Sequence, residues 1–271
     1  MLTWSYPYAT PDTRGPAMGA TGDASAVLDA LAAAGYRGVE LLVRDPRAVD
    51  VPAVRAALAG SGLVVAAIGT GPVVADDRLT LADADGTVRR RAVDRARSAV
   101  DLAAELGGHV AIGKLRGSLG DDPDRAWDHL RAGLSVVAGH AGSAGVVVVL
   151  EPQGPATMDN LTTTEEGLGF VRDLALPSVA LMLDLLHVEA ADPAPVRSWA
   201  AAGEHLRYVH VADSGRAAPG RGGFDLPAHL AALEATGYDG FATVEIAQGA
   251  DPLVTAREAI RYVSGLTGAP G

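Results

Sequence analysis

Residues 145–152, GVVVVLEP, decide the fold. The unbroken row of valines and a leucine reads as a strand buried on both faces, as in parallel sheets. Glu151 stands at its end, and Pro152 then stops any further ladder pairing. A carboxylate at the tip of so apolar a run is either a solvent-facing rim residue or a functional group. The same pattern returns with Asp184 in VALMLD, His210 in RYVH and Glu245 in ATVE.

Outward from that strand, the chain alternates strand and helix eight times. Strands are expected at 2–6, 38–43, 63–69, 109–113, 146–151, 179–184, 206–211 and 241–246. Helices are expected at 23–34, 51–59, 88–106, 124–138, 164–174, 194–201, 226–236 and 252–264. A Gly/Asp-rich connection without assigned structure fills 69–87. Such alternation demands parallel pairing and right-handed crossovers. Eight units in about 250 residues is the count and size of a closed α/β barrel, (β/α)₈. The competing open, doubly wound sheet calls for a Gly-rich fingerprint in the first strand–helix turn. Here that turn is YPYATPDTRGPAMGATGD, with no G-x-G-x-x-G. No linker or low-complexity segment divides the chain, so residues 1–271 read as one domain.

Composition narrows the chemistry. Hydrophobic residues make up 48% of the 271, enough for a substantial core. No apolar run approaches the roughly 20 residues that span a bilayer, and no leader precedes the first strand, so a cytoplasmic chain is expected. The absence of cysteine removes disulfides, thiolate catalysis and Cys-type zinc sites together. A net charge of −11 argues against a nucleic-acid partner, whose phosphates need a basic face.

In a parallel barrel every strand C-terminus opens on one face, where catalytic residues collect. Glu151, Asp184, His210 and Glu245 therefore share that face, on consecutive strands. Taken singly, a strand-end carboxylate often caps the next helix or pairs with an arginine. Three carboxylates at one mouth raise one another's proton affinity unless a cation lies between them. One divalent metal ion is the economical cation. Three oxygen donors and an imidazole suit Mn²⁺ first, then Mg²⁺ or Co²⁺, with Zn²⁺ less favoured without thiolates.

The pieces LEP, DLLH, VHVADSGR and TVEI resemble the sugar isomerase/epimerase branch of the xylose isomerase-like barrels, which includes the ketose 3-epimerases. The likeness runs from GYRGVEL of the second strand to the last helix. It implies that Glu151, Asp184, His210 and Glu245 hold one divalent metal. It also implies that Glu151 and Glu245 act as an acid/base pair on the two faces of the substrate. His187 and Arg216 match the family's residues that touch substrate oxygens. The expected function is a metal-dependent epimerase or isomerase of a keto-sugar or keto-sugar acid, working through a metal-stabilised enediolate. A lyase or dehydratase of a keto-cyclitol or 3-keto-glycoside is the alternative on the same barrel. Family members are often homodimers or homotetramers, and this sequence does not choose between them.

The pattern departs from the family just beyond Pro152. Ketose 3-epimerases commonly continue as E-P-x-N-R-x-E, whereas this chain reads EPQGPAT, which questions a plain ketohexose as substrate. Lys114, Arg116, Arg216 and Arg221 on the same face offer cations for a carboxylate or phosphate on the substrate. Lys114 and Arg116 have the alternative of pairing with Asp121 and Asp122 in their own loop. Glu40 on the second strand faces either the cavity or a structural ion pair. Trp4 and Phe224 are candidate pocket walls, and His129, His140, His205 and His229 read as surface residues. A related DNA-repair endonuclease would need further histidines on strands two to four and a basic face. The third tip is Gly69-Thr70-Gly71, and the charge has the wrong sign.

Overall fold

A computed structural model of the protein describes residues 2–15 and 18–267. Its strands are β1 (Thr3–Ala9), β2 (Gly38–Leu42), β3 (Val64–Gly69), β4 (His109–Ile112), β5 (Val148–Leu150), β6 (Val179–Asp184), β7 (Leu206–Val211) and β8 (Phe241–Val244). All pairings are parallel, and β1 closes on β8 to complete an eight-strand barrel. The expected (β/α)₈ architecture is therefore the observed one.

The helices are α1 (Ala24–Ala34), α2 (Val51–Ser61), α3 (Gly71–Asp77), α4 (Gly86–Leu106), α5 (Pro123–Ala144), α6 (Thr164–Leu174), α7 (Leu185–Ala191), α8 (Ser198–Ala202), α9 (Leu226–Ala235) and α10 (Pro252–Thr267). Many of the chain's aspartates start them. Asp23, Asp50, Asp85, Asp122 and Asp225 each accept a hydrogen bond from a first-turn backbone N–H, satisfying donors that the helix itself cannot. Gly35 and Gly145 end α1 and α5 at positive φ, where a side chain would be strained.

Two helices lie outside the expected pattern. α3 occupies part of the connection expected to lack structure, because Pro72 in GTGP sits in its first turn, where proline is tolerated. α7 begins directly after Asp184, the last residue of β6, and carries His187. β1 also runs further than expected, to Ala9, and Ala20 N–H donates to the Pro7 carbonyl at 2.8 Å.

Alternation along the strands sorts side chains into two packing layers. Val148, Leu150, Leu181, Leu183, Val209, Val211, Ala242 and Val244 point outward into the main core beneath the helices. Ala66, Ala67, Ala111, Val149, Ala180, Met182 and Tyr208 form a separate cluster inside the barrel. Two residues beyond Val149, Met182 and Tyr208 stand Glu151, Asp184 and His210. The same period sets Glu245 two beyond Thr243. The pleat itself thus directs all four tip residues to the barrel mouth. No helix among the described residues is long and apolar enough to cross a membrane.

Candidate active site

A cavity of about 600 Å³ opens at the C-terminal ends of the strands. Glu151, Glu245, His187, His210, Arg216 and Lys114 are among its lining residues. Asp184 lies directly beneath, with no exposed surface.

Asp184 divides its two oxygens. Oδ1 accepts from the Leu186 N–H at 2.8 Å and so caps α7. Oδ2 is buried and makes no hydrogen bond, although Arg216 Nη1 approaches it to 2.5 Å out of alignment. His210 shows the same division. Its Nε2 lies 2.7 Å from Glu40 Oε2, while Nδ1 is buried without a hydrogen bond, 3.8 Å from Asp184 Oδ2 and 3.4 Å from Glu245 Oε2. Glu245 Oε2 is also 2.8 Å from Arg216 Nη1.

Glu151 is held on several sides. Gln153 Nε2 donates to its Oε2 at 2.7 Å, and His187 Nε2 lies 3.9 Å from Oε1. Its own N–H donates to Ile112 O at 3.1 Å, keeping the tip in register with β4. A Cβ on Gly113 would collide with Glu151 Oε2 and Gln153 Nε2, so a bare backbone there makes room for the carboxylate. Gly215 and Arg216 both take positive φ, 69° and 62°, in the turn that aims the guanidinium back over the site. A non-glycine residue held in that region is a local cost of the kind that collects at functional sites.

The environment separates the two glutamates. Burial, reinforced by Asp184, pushes the Glu151 carboxyl up to about 8. Burial also acts upward on Glu245, but the His210 and Arg216 charges outweigh it and hold that carboxyl below the usual range. For His210, burial favours the neutral ring, yet Glu40 and Glu245 outweigh it and raise its proton affinity. Burial lowers that of His187, with Arg216 adding to the effect against Asp184.

These donors fit a divalent cation. Glu151, Asp184 and His187 each offer an atom within 4.8 Å of the others, as do Asp184, His210 and Glu245. Of the five buried side-chain atoms without a hydrogen bond among the described residues, Asp184 Oδ2 and His210 Nδ1 belong to residues of the second group. Carboxylate oxygens with one or two imidazoles suit a hard or borderline ion. His187, expected at the substrate, is thus also close enough to serve the cation.

Several expectations about neighbouring residues change. Arg116 does not line the cavity: it is fully buried, donating through Nη1 to the Glu151 carbonyl and through Nε to Asn160 Oδ1 at 3.1 Å. Its guanidinium staples the loop after β5 to the strand tip and is unavailable to a substrate anion. Arg221 is exposed and pairs with Glu258 at 3.1 Å. Lys114 remains exposed at the mouth, with no ion-pair partner among the described residues. Asp122, its suggested partner, caps α5 instead. Trp4 packs in the core, and Phe224 lies against it. His229 is buried, accepting from Trp199 Nε1 at Nδ1 and meeting Glu189 Oε1 at 2.5 Å through Nε2.

Glu40 is the residue whose importance the sequence left open. It is almost wholly buried, it borders the cavity, and it contacts His210 directly. The alternation of GVELL held the signal, since Val39 and Leu41 face the outer core and leave Glu40 facing inward.

The closed parallel barrel carries at its mouth a cluster of carboxylates and imidazoles that could bind a metal ion. Residues 28–264 match the family described as Xylose isomerase-like TIM barrel, and the chain belongs to that family. It is 33% identical to L-ribulose 3-epimerase of Mesorhizobium japonicum over 211 residues, covering 76% of this chain and 69% of that protein. It is 30% identical to ketose 3-epimerase of Arthrobacter globiformis over 214 residues, covering 76% of this chain and 72% of the relative. A solved structure of L-ribulose 3-epimerase superposes with a TM-score of 0.83 at 26% identity, covering 99% of this chain and 96% of that one.

Proposed function

We propose that this protein is an isomerase-class enzyme, a divalent-metal-dependent epimerase of a keto-sugar or keto-sugar acid. The observation that carries the reading is geometric: Glu151 and Glu245 line one cavity from the ends of β5 and β8, the strands that flank those of Asp184 and His210. In the metal-free site, burial raises the proton affinity of Glu151, whereas the His210 and Arg216 charges lower that of Glu245 against its burial. Two carboxylates set apart at one site are what removal and return of a proton require. The epimerase names of its relatives support the same class.

Glu151, Asp184, His210 and Glu245 would hold the ion, with Mn²⁺ the first candidate and Mg²⁺, Co²⁺ or Zn²⁺ the alternatives. When bound, it would act as a Lewis acid that makes the proton beside the substrate carbonyl easier to remove. Glu245 is the base that takes this proton from one face of the carbon. Glu151 is the acid that returns a proton to the opposite face, which inverts the centre. The reverse reaction exchanges the roles. His187 and Arg216 hydrogen-bond substrate oxygens at the cavity wall, and Arg216 also offsets the carboxylate charge. Lys114 at the mouth provides for an acidic substituent on the substrate.

The test is solvent deuterium wash-in, followed by NMR, at the carbon next to the carbonyl of a keto-sugar panel, with the metal content measured in parallel. The parent enzyme should incorporate deuterium, and Glu151→Gln and Glu245→Gln should each abolish turnover. Exchange that survives in both variants would remove the assigned roles.

A further inference from the structure

The inner side of His210 is occupied by a hydrogen-bonded chain that none of the proposed catalytic steps uses. Glu40 Oε2 meets His210 Nε2 at 2.7 Å and accepts from Tyr208 Oη at 2.9 Å. Tyr208 Oη is hydrogen-bonded in turn to Thr243 Oγ1, and Thr243 to Ser5 Oγ. All five residues are at least 97% buried. The Tyr208 ring stands edge-on to the imidazole, with centroids 5.3 Å apart and planes at 71°, so the ring has little freedom to turn.

Room for the carboxylate is also built in. A Cβ on Gly69 would lie 2.5 Å from Glu40 Oε1, so the bare tip of β3 is what admits Glu40 beneath the site. A carboxylate buried at this depth is costly unless its oxygens are satisfied. Here satisfying it fixes the imidazole. With Nε2–H given to Glu40, the remaining nitrogen, Nδ1, faces Asp184 and Glu245. Glu40 itself belongs to neither group of converging donors, which makes it a neighbour of the cation site rather than part of it.

We infer that Glu40, itself locked by Tyr208, is a positioning residue that presets His210 Nδ1 for the divalent ion. The inference rests on the metal reading proposed above. Outer partners of this kind orient the imidazole and raise its basicity, and their loss commonly costs 10–100-fold in metal affinity.

The experiment is a Mn²⁺ titration of chelator-stripped protein, with free Mn²⁺ read by electron paramagnetic resonance. Glu40→Leu should weaken Mn²⁺ binding by roughly 10–100-fold. Glu40→Gln should recover part of the loss, because its amide oxygen still accepts from Nε2–H. Tyr208→Phe, which removes a single oxygen, should weaken binding by a smaller but measurable factor. The thermal midpoint of the stripped proteins should not follow this order, since a purely structural role would move stability and affinity together. An affinity for Glu40→Leu within about twofold of the parent would overturn the inference while leaving the metal reading intact. If Glu40→Leu does not fold, an unchanged affinity in Tyr208→Phe overturns it equally. A parent protein that takes up no Mn²⁺ would remove the metal reading and this inference together.

Discussion

Arg216 places Nη1 2.5 Å from Asp184 Oδ2, and it does so from a backbone at φ 62°. Charge and conformation at this residue are therefore separable by substitution. Arg216→Ala and Arg216→Gly both remove the guanidinium, and each should lower kcat/KM by about 10²–10³-fold, the scale of a lost electrostatic donor. Only glycine relieves the left-handed backbone. Arg216→Gly should therefore be more stable than Arg216→Ala by about 1 kcal/mol in urea unfolding. Equal stability would show that the turn tolerates a side chain without cost.

Metal uptake should release protons, and the sign follows from the site. Glu151 keeps its proton up to about pH 8, and the affinity of His210 for its proton is also raised. A cation must displace both, so at pH 7 about one proton should leave Glu151 per ion bound, and His210 adds to the release. Affinity should rise with pH, and the rise should become shallower above about pH 8, where Glu151 is already ionised. Glu245, ionised throughout this range, adds nothing to the slope. Calorimetry in two buffers of different ionisation enthalpy counts the protons. A pH-independent affinity would contradict a protonated Glu151 and His210 in the metal-free site.

Gly113→Ala tests the space behind the proposed acid. The added methyl meets Glu151 Oε2 and Gln153 Nε2, and one of them must shift. Overpacking of this kind costs about 1–3 kcal/mol. The displaced carboxylate should lower kcat more than it raises KM, which steady-state kinetics separates. A variant with normal kcat would mean that Glu151 has freedom to spare.

The two basic residues of IGKLRG should behave oppositely. Arg116→Met leaves the Glu151 carbonyl and the Asn160 amide oxygen without their donor, and should destabilise the fold by about 3 kcal/mol. Lys114→Ala should change stability by no more than about 0.5 kcal/mol, as for other exposed sites. It should instead raise KM for a keto-sugar acid more than for its neutral counterpart. Equal effects on both substrates would remove Lys114 from anion recognition.

Much of this arrangement was legible in the chain. The ends of the apolar runs located the four tips, because every strand C-terminus of a parallel barrel opens on one face. Glu40 stayed open between cavity and ion pair, because its meaning depends on β7 arriving opposite β2 across the barrel, which local pattern does not encode. Arg116 was misplaced for a related reason. Loop composition shows that a cation is present, while the side of the loop it faces depends on where the Asn160 segment folds back. α3 and α7 were hidden because each is seven residues long and starts directly after a strand. The ambiguity between capping and function at Asp184 had no single answer, since one oxygen caps α7 and the other is left without a hydrogen bond, facing the cluster.

The hydroxyl chain from Ser5 to Glu40 has a consequence for anyone altering this protein. The barrel axis, where a designer would first look to add oily bulk for heat resistance, is wired to the proposed metal site. Replacing Ser5 or Thr243 with aliphatic residues changes what Tyr208 can bond to, and through it the seat of Glu40. In this barrel, hardening the scaffold and retuning the catalyst draw on the same few side chains.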